Sequence, residues 1–175
     1  RRKELLGLFH IPFQIRVADI DETMDPEKPA AEEVARVSRT KAEAIHRTND
    51  DIVVAADTIV VCEGRVLGKP RSEAEAASML RLLSGRDHQV MTGLTVLKGD
   101  RAVICTEVTD LHFRELSQRE IEAYVATGEP MDKAGAYGIQ SGGGKFVEKI
   151  EGDYDTVVGL SVALTKRLVD EAQND

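Results

Sequence analysis

No apolar run in the sequence approaches the roughly 18–20 residues that a membrane span needs, which argues against a membrane-embedded helix. Cysteine is scarce. Cys62 and Cys105 stand far apart in apolar stretches. They read as two buried thiols rather than a disulfide or a metal pair, and a reducing, cytoplasmic setting is expected. The four histidines, His10, His46, His88 and His112, lack ligand spacing, which speaks against a His-based zinc site. Positive charge is in deficit: 23 Lys and Arg face 31 Asp and Glu, a net charge of -8. A chain without a broad positive field is not built to coat nucleic acid or an anionic membrane. A small anionic ligand held by a few local cations stays possible. Neither GxxxxGK[ST] nor GxGxxG after a strand occurs, so the P-loop and the Rossmann fingerprint are missing. Repeats, low-complexity tracts and long linkers are missing too.

What is present is an ordinary globular composition, 42% apolar and 31% charged over 175 residues. That length fits one domain or two tightly packed lobes with a real core. Residues 2–8 read as a short helix and 13–18 as a strand. The acidic stretch 19–28 reads as a loop. Pro29 suits the first turn of a long helix reaching about Arg47. The β-branched run 51–62 reads as a buried strand, followed by a turn-rich connection over 64–71. Ser72 with Glu75 forms a capping box for a helix ending near Gly85. Segments 88–97 and 102–113 form a hairpin about Gly99-Asp100. Ser117 with Glu120 opens another helix, to about Gly128. Residues 132–144 are Gly-rich and irregular, 146–150 a short strand, and 159–172 a terminal helix. Helices and strands interleave, so the class is α/β with a mixed sheet.

Polar residues in apolar places carry the functional signal. Asp57 interrupts Ile-Val-Val-Ala-Ala-Asp-Thr-Ile-Val-Val at 52–61. A carboxylate inside a buried strand is costly unless it is paired or metal-bound. Either the strand bends there and Asp57 caps a turn, or Asp57 is a metal ligand or general base at a cleft. Lys41 falls within the apolar stripe of Val34, Val37 and Ile45. It either snorkels outward from the stripe edge or joins Asp57 in a charged pocket. Lys69, between Gly68 and Pro70, is either an ordinary loop lysine or one presented stiffly to a phosphate. Gly142-Gly143-Gly144 is either a hinge or a cradle for phosphate. Asp19, Asp21, Glu22 and Asp25 form an acidic cluster, of which one member could face Mg²⁺. Carboxylates for a hard cation beside lysines for an anion suit phosphoryl or pyrophosphoryl transfer.

Ala55-Ala56-Asp57-Thr58-Ile59-Val60, Gly68-Lys69-Pro70, Met91-Thr92-Gly93 and Asp132 through Gln140 occur in that order. Together they resemble the Maf family of nucleoside triphosphate pyrophosphatases, over nearly the whole chain. The opening Arg1-Arg2-Lys3-Glu4-Leu5-Leu6 resembles the tail of that family's Ser-x-Ser-Pro-Arg-Arg signature. The family's first strand and the Ser-x-Ser-Pro part of the signature are absent from this sequence, and a truncated start is the expectation. Ser161 stands where the family often has Pro, and serine serves well at a helix N-terminus.

The resemblance implies one Maf-like domain over 1–175. Its expected fold is an elongated mixed sheet flanked by helices, with two lobes around a cleft, similar to inosine triphosphatase. It also implies a cytoplasmic homodimer that hydrolyses a nucleoside triphosphate to the monophosphate and pyrophosphate with Mg²⁺ or Mn²⁺. By motif, Asp57 is the proton acceptor and, with Glu22, holds the metal. Lys41 and Lys69 serve catalysis and, with Arg1 and Arg2, the phosphates. Arg2, Thr58 and Gln140 belong to the set linked to substrate choice, and Gly138-Ile139-Gln140 looks like the dTTP and UTP branch. The alternatives are a pyrophosphatase preferring another base, and a nucleotide-binding regulator of cell division or septum formation.

Overall fold

A computed structural model describes residues 1–45 and 47–174; the expectation for His46 lies outside the described residues. Among these, six α-helices and five strands follow in the order α1 (Arg2–Gly7), α2 (Ala30–Glu43), β1 (Ile52–Cys62), β2 (Arg65–Leu67), α3 (Glu73–Leu83), β3 (Asp87–Lys98), β4 (Arg101–Phe113), α4 (Gln118–Ala126), β5 (Val147–Glu151), α5 (Tyr154–Val158) and α6 (Val162–Gln173). The strands form one sheet in the order β2-β1-β3-β4-β5. The ladders at its two ends are antiparallel, with Val61 opposite Val66 and Leu111 opposite Ile150. Strands β3 and β4 meet through Gly99 and Asp100 alone, the expected hairpin. The α/β class, with helices flanking the sheet, is as expected. Among the described residues no helix is long and apolar enough to cross a membrane.

Two compact units divide the chain. The first comprises residues 1–58, 92–107 and 159–175, the second 59–91 and 108–158. In the first, Leu164, Leu168 and Ala172 of α6 repeat every four residues, so they share one helix face. They pack with Ala56, Leu94, Val96 and Leu160. In the second, Leu80 and Leu83 of α3 join Ile121 of α4 and an aromatic group of Phe113, Tyr124, Tyr137 and Phe146. Its rings meet edge to face, Phe113 on Tyr137 at 4.7 Å, the arrangement that ring quadrupoles favour.

Several boundaries differ from the sequence reading. The strand expected at 13–18 does not form. Its alternation of Ile11, Phe13, Ile15 and Val17 has the strand period, but the segment joins no ladder among the described residues, and Val17 is 91% exposed. Period alone supplies no partner for backbone N–H and C=O groups. Helix α2 stops at Glu43 rather than near Arg47. There the Asp51 carboxylate takes the Thr48 N–H at 2.8 Å and Arg47 reaches the Gly99 carbonyl, a turn that leads into β1. The connection expected over 64–71 contains a strand, β2, which pairs antiparallel with β1 about the Glu63-Gly64 turn, itself a hairpin signal. The terminal helix expected at 159–172 forms as α6, from Val162, and a further short helix, α5, precedes it where the sequence reading has none. Ser161 caps α6 by accepting the Leu164 N–H. The Ser117–Glu120 capping box closes in both directions, whereas at Ser72 only the serine half forms. Cys62 is buried as expected, but Cys105 is only half-buried.

Candidate active site

Strand β1 runs unbroken through Asp57, so the turn-cap reading of that residue is wrong. The strand is less buried than its apolar run suggests, because its first four residues are only half-covered. The Asp57 side chain is 16% exposed and meets the Lys41 ammonium at 3.0 Å. The same ammonium meets Glu22 Oε1 at 2.7 Å. Lys41 is therefore no snorkelling stripe-edge lysine. Its side chain is 18% exposed, and its ammonium is shared between two carboxylates from distant parts of the chain. The charged cluster inferred from Asp57 and Lys41 forms, and Glu22 is its third member.

The position of Lys41 follows from how α2 lies on β3. Val34, Val37 and Ala42 bury one helix face. Midway along, Gly93 of β3 lets the helix backbone come very close. A Cβ there would run into the Val34 carbonyl, with the carbonyl carbon at 2.6 Å and Ala35 N at 2.8 Å. Such approaches need glycine. The buried Ser38 and Thr95 hydroxyls bond at 2.8 Å across the same contact. Thr106 of β4 donates to the Ala31 carbonyl. Lys41 lies one turn beyond Val37 on this fixed face.

Glu22 is singled out of its acidic cluster by the work its neighbours do. Asp21 accepts the Thr23 N–H at 2.9 Å, and Asp25 accepts the Glu27 N–H at 2.9 Å. Both are turn residues, and the Thr23 hydrogen bonds hold the Asp21 carboxyl below the usual range. Glu33 of α2 accepts the Asp25 N–H and pairs with Arg36, which also donates to the Thr23 carbonyl. These contacts pin the loop to α2, and Glu22 alone of the cluster turns to Lys41.

A second group sits in the same unit. Arg2 Nε donates to the Gly159 carbonyl at 2.8 Å, and its Nη2 donates to Thr58 Oγ1 at 3.1 Å. Thr58 shares a hydrogen bond with Thr92 at 2.8 Å. Part of the Arg2 side chain stays exposed, but its head is crowded by protein. That desolvation lowers its pKa, against the pull of Asp57. Arg1 is exposed at the start of α1. Lys69 and Gln140 belong to the other unit, where both are exposed. The Lys69 loop is anchored on both sides of the lysine: Pro70 is buried, and the Gly68 carbonyl accepts the Gly135 N–H.

The structure thus brings together Arg2, Glu22, Lys41, Asp57 and Thr58 within one unit. Sequence reasoning gave no role to Thr92, Gly93, Ser38 or Thr95. The Met-Thr-Gly motif was the available signal for the first two; a buried serine on a helix face gives none. Two carboxylates sharing an ammonium form a hard, oxygen-only donor set. Among the described residues no group of three or more His, Cys, Asp and Glu assembles. That sparse set suits Mg²⁺ or Mn²⁺, which take one or two protein carboxylates and fill the rest with phosphate and water.

The chain's residues 1–172 match the family model described as Maf-like protein. The dTTP/UTP pyrophosphatase of Bacillus cereus strain AH820 is 49% identical over 172 residues, which is 98% of this chain and 88% of that protein. The dTTP/UTP pyrophosphatase of Bacillus thuringiensis subsp. konkukian strain 97-27 matches with the same identity and coverage. That of Bacillus anthracis strain CDC 684 is 48% identical over the same 98% and 88%.

Proposed function

The chain belongs to the Maf family, and on that footing we propose that it hydrolyses dTTP and UTP to the monophosphate and pyrophosphate, clearing nucleotide pools. The observation that carries this reading is Lys41 held between Glu22 and Asp57. It sets a cation and a candidate base side by side, which a charged phosphoanhydride requires.

In this reading Asp57 takes a proton from water as the water oxygen attacks the α-phosphorus. The bond from that phosphorus to the bridging oxygen breaks, and pyrophosphate leaves with the electron pair. Lys41 places positive charge where the phosphate oxygens gather negative charge. Lys69 and Arg1 are assigned to the phosphates by the family pattern. Arg2, Thr58 and Gln140 are assigned to substrate choice. Glu22 and Asp57 are the residues that would hold Mg²⁺ or Mn²⁺, which when bound would polarise the phosphate oxygens. The family likeness further supports a cytoplasmic homodimer.

The test is a pyrophosphate-release assay with Mg²⁺ or Mn²⁺ and each common nucleoside triphosphate. We expect turnover of dTTP and UTP above the purine nucleotides. No turnover of either would overturn the assignment.

A further inference from the structure

We propose that Tyr124 and Glu129 are positioning residues for base selection, holding the backbone on both sides of Gln140 so that its amide is presented in one geometry. The inference rests on the Gln140 reading above and deepens it.

The exposed Gln140 would be a poor reader of a base if its loop were loose, since ordering it would cost binding energy. The loop is held instead by two side chains from outside it. Tyr124 of α4 is buried, and its ring stands edge-on to Phe146 at 5.1 Å. Its hydroxyl accepts the Gly138 N–H at 3.0 Å, two residues before Gln140. Glu129 stands on the turn after α4 and acts on the far side of Gln140. Its carboxylate stands beside the backbone there, with Oε2 3.3 Å from where a Cβ of Gly142 would be, and the Ser141 and Tyr124 hydroxyls and the Gly142 N–H favour its charge. Burial opposes its charge, but these donors and Lys133 outweigh burial and draw its pKa down. The buried Oε2 itself has no hydrogen-bond partner among the described residues. The phenol of Tyr124 is pushed up by burial and then by Glu129. It keeps its proton, and can face Glu129 as donor while accepting from Gly138.

The glycines after Gln140 complete the arrangement. A Cβ at Gly142 would meet the Tyr124 ring at 3.0 Å. One at Gly143 would meet the Gly138 carbonyl oxygen at 2.8 Å and the Tyr124 hydroxyl at 3.0 Å. The Gly-Gly-Gly run is therefore neither a slack hinge nor spare length. It lets the loop close onto Tyr124, and Gly144 N then bonds the Ser141 carbonyl at 3.0 Å. Gln140 sits at the exposed tip of a loop fastened at 138 and at 141–143.

The experiment compares kcat/KM for dTTP with kcat/KM for dGTP in the wild type, Tyr124→Phe, Glu129→Gln and Gln140→Ala. Tyr124→Phe keeps the ring packing and removes the hydroxyl that accepts the Gly138 N–H and faces Glu129. We expect the dTTP-to-dGTP ratio to fall about fivefold, the worth of one neutral hydrogen bond. The thermal midpoint should stay within a few degrees. Glu129→Gln should move the ratio the same way, and it carries the test if Tyr124→Phe does not fold. An unchanged ratio in both variants, or an equal rate loss on every nucleotide, overturns the positioning role while leaving the Gln140 reading intact. A Gln140→Ala enzyme with wild-type base preference overturns that reading and this inference with it. Absence of all turnover in the wild type refers back to the proposed activity instead.

Discussion

Lys41 holds two carboxylates at once, at 2.7 and 3.0 Å, and the three charges cannot be treated separately. Removing the Asp57 charge leaves Lys41 paired with Glu22, so no lone buried charge is created, and the penalty that usually follows a broken buried pair is avoided. Asp57→Asn is nearly isosteric. It should fold, bind nucleotide and lose at least about 100-fold in kcat, the usual range for a lost general base. Pyrophosphate release with circular dichroism as the fold control measures it, and wild-type rates would remove Asp57 from its role. The same scale explains Thr58. Its hydroxyl lies between Arg2 and Thr92, so a residue beside the candidate base is fixed by two partners that no local pattern around it reveals.

Helix α2 is the element on which this site depends, and its sequence explains only half of its placement. The apolar face of Val34, Val37 and Ala42 dictates that it packs. How closely it packs is decided on the partner strand, by Gly93. A methyl group there has backbone atoms of Val34 and Ala35 in its way, and backbone yields less readily than a side-chain tip. Gly93→Ala should cost about 1–3 kcal/mol, as overpacking does, and displace Lys41 two turns further along the helix from Val34. Urea unfolding should show the lower stability, and kcat/KM should fall as well. A variant of unchanged stability and rate would mean that α2 can shift without consequence. The element scale also shows why the strand expected at 13–18 failed. Its residues satisfy the period, whereas β2, only three residues long, forms because it has β1 to pair with.

The whole molecule carries a net charge of -8, yet its candidate site gathers cations. Acidic excess at long range and Arg2 with Lys41 at short range are compatible, because surface charges are screened beyond about 10 Å. Stability at this scale should depend on pH through His88. That imidazole is 2% exposed, its Nε2 lies 2.7 Å from the Tyr137 hydroxyl, and its Nδ1 has no partner among the described residues. Burial, partly offset by Asp87, lowers its pKa to about 4. The unfolded chain then binds the proton more readily than the folded one between about pH 6.5 and 4. The contribution is whole above about 6.5 and is lost as pH falls through that window, up to about 3 kcal/mol. Urea titrations at pH 7.5, 5.5 and 4 should show a steeper loss for the wild type than for His88→Gln; parallel losses would clear His88 of that role.

Most of the elements and the identity of the charged pair were legible in the residues alone. β-Branched runs, capping serines and Gly-Asp turns act within a few residues. Asp57 and Lys41 stand out because each breaks a local apolar pattern. The rest depends on tertiary contacts. The fold brought Glu22, which the family pattern had already picked from four acidic residues, to Lys41, left 13–18 without a ladder, set α2 against Gly93 and held the Gln140 loop against Tyr124 and Glu129. Each of these depends on which distant backbone or side chain arrives to satisfy a hydrogen bond or a charge. Propensity and period act along the chain and carry no information about that arrival.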